Sequence, residues 1–360
     1  MTTRPRSTSR LAALDVARAG AVFGMVIVNV GPVLAEGPAS WPMQLLYGRA
    51  SVLFILLAGL GVVLLAGTRS AGRSVTGTLL WRAAVLFLLG LALQPLPHEV
   101  NVILTVYSVL FLVAIPGLRV PSWAVLTTAG VLTVVGPLVW IAVNRGVEEK
   151  DDAARFGDSP GQILASVTLT GPYPVIVWAV PFLVGMWVGQ RDLRSRSTQW
   201  ALVIYGAIAG LAGYAVAEGL QFIYGAPEPE SVDYDRLLTA GGHSHMPLWL
   251  VSATGTAVLA VGLLLLVVPH LGRVTAPFEA VGRMPLTAYT AHLLLIAFLV
   301  RPGPDEAGTG LLASVGIIVV LVVLSLVWSM IRRTGPLEYL MRPPPLPRLR
   351  RPPSFSADPP

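Results

Sequence analysis

Residues 79–116 read LLWRAAVLFLLGLALQPLPHEVNVILTVYSVLFLVAIP: two apolar stretches, 79–96 and 100–116, parted only by Pro97, His98 and Glu99. A helix that crosses a bilayer needs roughly 20 mainly apolar residues, so the segment predicts a tight helical hairpin. Working outward, eight more stretches have the same character: 11–35, 50–67, 123–143, 172–189, 199–219, 247–268, 281–300 and 311–331. The composition agrees. Of 360 residues 54% are apolar and 12% charged, half the charge of an ordinary soluble domain at about 25%, and the mean hydropathy is +0.71. The fold class expected is an all-α membrane protein, a polytopic bundle of about ten transmembrane helices. Cysteine is absent, which excludes a disulfide framework, thiolate metal sites and a cysteine nucleophile. The net charge of +6 is spread over scattered arginines rather than one patch, so nucleic acid is not an expected partner. The lipid bilayer is.

Orientation follows from the basic residues of the connections. With the N-terminus inside, ten spans return the C-terminus inside, and 18 of the 25 basic residues fall in inner segments. Arg49, Arg145, Lys150, Arg155, Arg236 and Arg301 fall outside, and Arg18 lies within the first span. N-in, C-in at the plasma membrane is the expectation. The chain then divides into a basic cytoplasmic N-terminus (1–10), a transmembrane domain (11–331) and an Arg/Pro-rich cytoplasmic tail (332–360) that reads as disordered. Two long connections, 144–171 and 220–246, lie outside and are acidic. Residues 1–36 imitate a cleaved signal peptide, but Asp15 and Arg18 interrupt the apolar run, so the first span is expected to stay.

Gly20/Gly24, Gly185/Gly189 and Gly206/Gly210 have the spacing that lets membrane helices approach closely. Trp41, Tyr47, Trp123, Tyr173 and Trp200 stand near span ends, as an interfacial aromatic belt would. Gly-Pro-Tyr-Pro at 171–174 predicts a bend where the sixth span begins.

Ionisable groups inside spans are expensive, and each is a functional hypothesis. Asp15 and Arg18 are three apart on one helix face, and Asn29 continues the stripe roughly 16 Å deeper. The pair reads either as an interfacial ion pair that orients the helix or as a bundle-facing pair that holds an anionic group such as a cofactor phosphate. His292 stands mid-span, about 13 Å from Arg283, with Tyr289 on its face. It reads as a packing residue or as a participant in catalysis or transport. His98 sits in the hairpin turn and His270 in a short inner connection. His243 and His245 belong to Gly-Gly-His-Ser-His-Met-Pro (241–247), where glycines permit an unusual turn and histidine can serve as general base. No third ligand stands at fixed spacing, so no metal site is expected.

Leu14-Asp15-x-x-Arg18-Ala19-x-Ala21-x-x-Gly24-Met25-x-x-x-Asn29 resembles the first-span signature of the bacterial YeiB-like membrane proteins and the heparan-alpha-glucosaminide N-acetyltransferase catalytic domain. The similarity continues at Gly48-Arg49-Ala50-Ser51 through Gly59, at His243-Ser244-x-x-Pro247 and at Gly282-Arg283-Met284-x-Leu286-Thr287-x-Tyr289. The resemblance implies a transmembrane acyltransferase that takes an acetyl group from acetyl-CoA at the cytosolic face and delivers it to a sugar or lipid-linked glycan on the far side. It assigns His243, Asp15 and His292 to catalysis, Arg18, Asn29 and Arg283 to the donor, and Arg49, Ser244 and Tyr289 to the acceptor. Two departures stand out: Ala19 replaces the signature glycine, and no histidine lies between Asn29 and Phe54, where active relatives carry one.

Three functions compete. The first is an acyltransferase, the second a transporter of a small anionic or lipid-like solute, the third a non-catalytic membrane protein that works through its basic tail. The acyl-transfer reading expects Asp15, Arg18, Asn29, His292 and His243 to converge on one cavity.

Overall fold

The structure, a computed structural model, describes residues 11–31, 40–67, 75–146, 153–228, 232–304 and 306–344. The basic N-terminus 1–10, the acidic residues Glu148 to Asp152 and the tail beyond 344 lie outside the described residues.

The elements are α1 (Ala12–Val30), α2 (Trp41–Leu46), α3 (Arg49–Gly67), α4 (Val75–Leu93), α5 (Leu104–Gly117), α6 (Ser122–Asn144), α7 (Pro160–Ala165), α8 (Val175–Gly189), α9 (Arg196–Tyr224), α10 (Pro247–Leu271), α11 (Ala276–Gly282), α12 (Pro285–Leu295), α13 (Ala307–Ile331) and α14 (Pro336–Leu340). Among the described residues there is no strand. Seven helical stretches are long and apolar enough to cross a membrane: 12–30, 41–67, 75–93, 122–144, 196–224, 247–282 and 307–331. Residues 160–170 and 175–189 pass the same test together, bent by 60° where Gly-Pro-Tyr-Pro interrupts them. This is the architecture of a multi-pass membrane protein.

Two stretches are shorter than their apolar runs suggest: 104–117 and 285–300. The run 100–116 loses its first turn because residues 94–103 are tied into a polar knot. Val100 N–H donates to His98 Nδ1 (3.0 Å), and Val102 N–H donates to Gln94 Oε1 (2.8 Å). The run 281–300 breaks at Arg283 and Met284, because Pro285 lacks the N–H needed to continue α11 and instead starts α12. The connection 144–171 is also helical in part, with α7 running into a π-helical turn at 166–170.

α1 runs through the middle of the bundle and touches α3, α10, α11, α12 and α13. Lipid offers no hydrophobic drive between helices, so close packing decides these crossings. A Cβ on Gly59 would run into the Phe182 carbonyl, and one on Gly185 into the Leu56 carbonyl, so α3 and α8 cross backbone to backbone. Gly206 and Gly255 do the same for α9 against α10, a Cβ on the first meeting Leu259 N and one on the second Gly210 N. Gly20 does not follow this pattern: nothing lies within 4 Å of its would-be Cβ, because it faces outward. Trp41, Trp123 and Trp200 stand exposed near helix starts, as belt residues would. Tyr47 and Tyr173 instead turn inward and line a cavity.

Candidate functional site

Two cavities enter the bundle from opposite ends. One, of about 490 Å³, sits between the C-terminal end of α1, the 94–103 turn and the 232–245 loop. It is the histidine-end cavity, lined by His243, His245, Asn29, Tyr289 and Arg301, and by Tyr47 and Tyr173. The other, of about 1190 Å³, has walls mainly of leucine with Phe54, Tyr107 and Phe111, and Arg18, Arg82, Arg191, Arg194 and Asp192 are among its lining residues. Leu11 and Met341 also line this arginine-end cavity, so both termini of the described chain lie at that end.

The histidine end is built around an aromatic box. The His243 ring lies 4.7 Å from Tyr47, 5.4 Å from Trp178, 5.5 Å from Tyr173 and 6.1 Å from Trp249, centroid to centroid. His245 packs on Trp140 at 5.1 Å. Both histidines adopt left-handed backbone, with φ of 54° and 65°, a conformation that a non-glycine residue keeps only when its surroundings hold it there. Two glycines make the fit: a Cβ on Gly242 would meet the Tyr47 carbonyl oxygen at 2.7 Å, and one on Gly48 the His243 nitrogen at 3.0 Å. Enclosure by the rings pushes the His243 pKa down to about 4, so the imidazole is neutral at ordinary pH.

Arg301 staples this end together. Its Nη2 donates to the Asn29 carbonyl oxygen (3.0 Å), its Nε to the His98 carbonyl oxygen (3.1 Å), and it pairs with Glu99 at 3.2 Å. His98 itself is structural. Its Nδ1 accepts from Val100, so its Nε2–H donates to the Leu93 carbonyl at 2.9 Å. Burial chiefly, and the Arg301 charge, hold its pKa below the usual range.

The two cavities approach each other at an aromatic wall. Phe54 and Tyr107 line the arginine-end cavity and Tyr289 the other. The Phe54 ring stacks on Tyr289 at 6.0 Å and lies tilted against Tyr107 at 5.3 Å. Behind the wall, the buried His292 edges against Tyr289 (4.9 Å) and meets Asn29, Nε2 to Nδ2, at 3.3 Å.

The five residues expected on one cavity are therefore divided. Asn29 and His243 line the histidine-end cavity and Arg18 the arginine-end cavity. Asp15 is buried behind Arg18, bonded to its Nη1 at 2.8 Å, and His292 is buried behind Asn29. Of the remaining candidates Tyr289 lines the histidine-end cavity, whereas Arg49, Ser244 and Arg283 line neither. Arg49 reaches back to the Leu45 carbonyl. Ser244 Oγ accepts from Met246 N–H as α10 begins, and Arg283 pairs with Glu279 (3.2 Å). Sequence reasoning used Arg82, Arg191, Arg194 and Arg301 only to orient the chain, and it passed over Tyr107 altogether. The available signal was two arginines close together at 191 and 194 on the same short connection. Among the described residues no cluster of three or more His, Asp or Glu could hold a metal ion.

No curated protein matches the chain. Residues 202–343, from α9 through α14, match the family model described as protein of unknown function (DUF418), a match that takes in His243, His245, Tyr289, His292 and Arg301.

Proposed function

We propose that the protein is a membrane-embedded acyltransferase that takes an acyl group from a CoA thioester at the arginine end and passes it to a sugar or lipid-linked glycan at the histidine end. The excess of basic residues in the inner connections supports a cytosolic arginine end, in a bundle of about ten crossings. The observation that carries the reading is the pair of opposed cavities meeting at the wall of Phe54, Tyr107 and Tyr289. A donor and an acceptor entering from opposite sides would meet there without either crossing the membrane.

The arginine-end cavity fits a CoA thioester by its chemistry. Four arginines in its lining suit phosphates, since arginine binds them through paired charge-assisted hydrogen bonds, and the apolar walls suit the slender arm of the thioester. In this arrangement Arg82, Arg191 and Arg194 join Arg18 in holding the donor. Asn29 moves to the acceptor side. Tyr47-Gly48-Arg49 occupies the place where active relatives carry a histidine, and the Tyr47 ring packs on His243. His243 thus supplies an imidazole to that place from another part of the chain, neutral and able to accept the acceptor's proton.

The test is calorimetric binding of acetyl-CoA to the detergent-solubilised protein. Saturable binding that Arg82→Ala and Arg194→Ala each weaken about tenfold or more supports the reading, with the exposed Arg332→Ala as an unaffected control. No binding at millimolar acetyl-CoA overturns it.

Transport is the second reading. A thin wall between two cavities is also what a gate looks like, and the buried His292–Asn29 pair stands beside it. A transporter would accumulate its solute chemically unchanged.

A further inference from the structure

The septum between the cavities holds a polar group that the fold leaves unused. Tyr107 is 6% exposed, and its hydroxyl is fully buried with no hydrogen-bond partner among the described residues. Its neighbours on the same turn and in the same wall are satisfied: Ser108 Oγ donates to the Thr105 carbonyl at 2.6 Å, and the Tyr289 hydroxyl accepts from Ile103 N–H at 3.2 Å. The Tyr107 ring is fixed between Phe54 (5.3 Å) and Phe111 (6.3 Å), so the hydroxyl has little freedom to find a partner elsewhere. It lies within electrostatic range of Arg18 on the donor side and Tyr289 on the acceptor side. Buried hydroxyls are nearly always paired, and an unpaired one costs stability. Tyr107 itself lines the arginine-end cavity, beside the Phe54 ring that stacks on Tyr289 of the other cavity.

We infer that the Tyr107 hydroxyl is a carbonyl-binding site: it donates a hydrogen bond to the carbonyl oxygen of an acyl thioester held against the Phe54–Tyr107 wall of the arginine-end cavity. The inference rests on the acyltransferase reading. As the acceptor's nitrogen or oxygen forms its bond to the acyl carbon, the carbonyl electron pair moves onto that oxygen, and Tyr107 stabilises the developing charge. The pair returns as the carbon–sulfur bond breaks. The acceptor's proton passes through the base at the histidine end and finishes on the departing CoA thiolate, so ester or amide and free thiol are the products. A preorganised donor in a dry site suits this task, and losing one such donor slows acyl transfer about 100- to 1,000-fold.

The test is infrared difference spectroscopy of acetyl-CoA carrying ¹³C at the acetyl carbonyl, bound to the full-length protein. A carbonyl stretch at lower frequency than in solution, restored upward in Tyr107→Phe when both proteins are saturated with acetyl-CoA, is the expected result. Binding with the same frequency in both proteins overturns the inference and leaves the donor-binding reading standing. No saturable binding by the unsubstituted protein overturns both. Should the phenylalanine variant not fold, 3-fluorotyrosine at 107 keeps the hydroxyl and makes it a stronger donor. The stretch must then fall further, and an unchanged frequency again overturns the inference.

Discussion

Asn29 Nδ2 lies 3.3 Å from His292 Nε2, a contact between residues 263 positions apart that joins α1 to α12 at the septum. The carboxamide donates, which places the imidazole proton on Nδ1. Replacing Asn29 strands the fully buried His292 imidazole, at a cost of about 1–3 kcal/mol, whereas replacing His292 leaves a half-buried amide that still faces the cavity. His292→Leu and Asn29→Leu should each lower the thermal midpoint, and the double variant should lose less than their sum. A coupling of about 0.5–2 kcal/mol in detergent unfolding confirms the pair, and strict additivity refutes it.

The neutral His243 makes stability pH-dependent. Its folded pKa of about 4 lies below the unfolded value of about 6.5, so between these limits the unfolded chain binds a proton that the folded chain refuses. The stability this contributes is present above about pH 6.5 and is lost as pH falls toward 4. His98 is shifted in the same direction, so the comparison must keep it. His243→Phe should flatten part of the fall in thermal midpoint across that window. An identical pH profile in the variant contradicts the enclosed, neutral imidazole.

Glu338 caps the start of α12, 52 residues before it in the chain. Its Oε1 accepts from Leu286 N–H (2.7 Å) and Thr287 N–H (3.1 Å), and its Oε2 from the Thr287 hydroxyl (2.6 Å), while α12 has no cap of its own. Trp81 Nε1–H also donates to the Leu340 carbonyl at 2.7 Å, so α14 is pinned beside the arginine-end cavity. Glu338→Ala should cost about 0.5–2 kcal/mol, the range for a lost cap, and speed protease cleavage after α13. Unchanged cleavage would show that α14 is held by other contacts.

The glycine crossings separate two residues that look alike in sequence. Gly185→Ala drives a methyl into the Leu56 carbonyl and should abolish folding or lower the thermal midpoint sharply. Gly20→Ala meets nothing and gains about 1 kcal/mol of helix propensity. Midpoints measured side by side decide it, and equal losses in both would contradict the close α3–α8 crossing.

Because the chain lacks cysteine, single cysteines report its orientation cleanly. A membrane-impermeant maleimide added to intact cells should label Phe156→Cys, on the 144–171 connection, and spare Arg333→Cys beyond α13. The reverse pattern would invert the proposed topology and put the CoA site on the wrong side.

The helices were legible because a lipid-facing stretch is apolar on every side, so its length alone announces it. Where polar groups are satisfied internally, that signal misleads. His98 and Gln94 draw 100–103 out of the apolar run, and Pro285 splits another. In the site, the Asp15–Arg18 pair was readable from helical spacing. The separation of Arg18 from Asn29 was not, because spacing places both on one stripe and says nothing of the wall between them. Tyr47 and Tyr173 look like belt residues by position. Only the fold of Gly48 and Gly242 against each other's chains shows that they enclose His243.

The most direct test is transfer across a sealed bilayer. Protein reconstituted in liposomes, with [¹⁴C]acetyl-CoA outside and glucosamine trapped within, should place label on the enclosed sugar and free CoA outside. Label should enter only where the arginine end faces out. Intact acetyl-CoA inside the liposomes with the sugar unlabelled would contradict acyl transfer and establish transport instead.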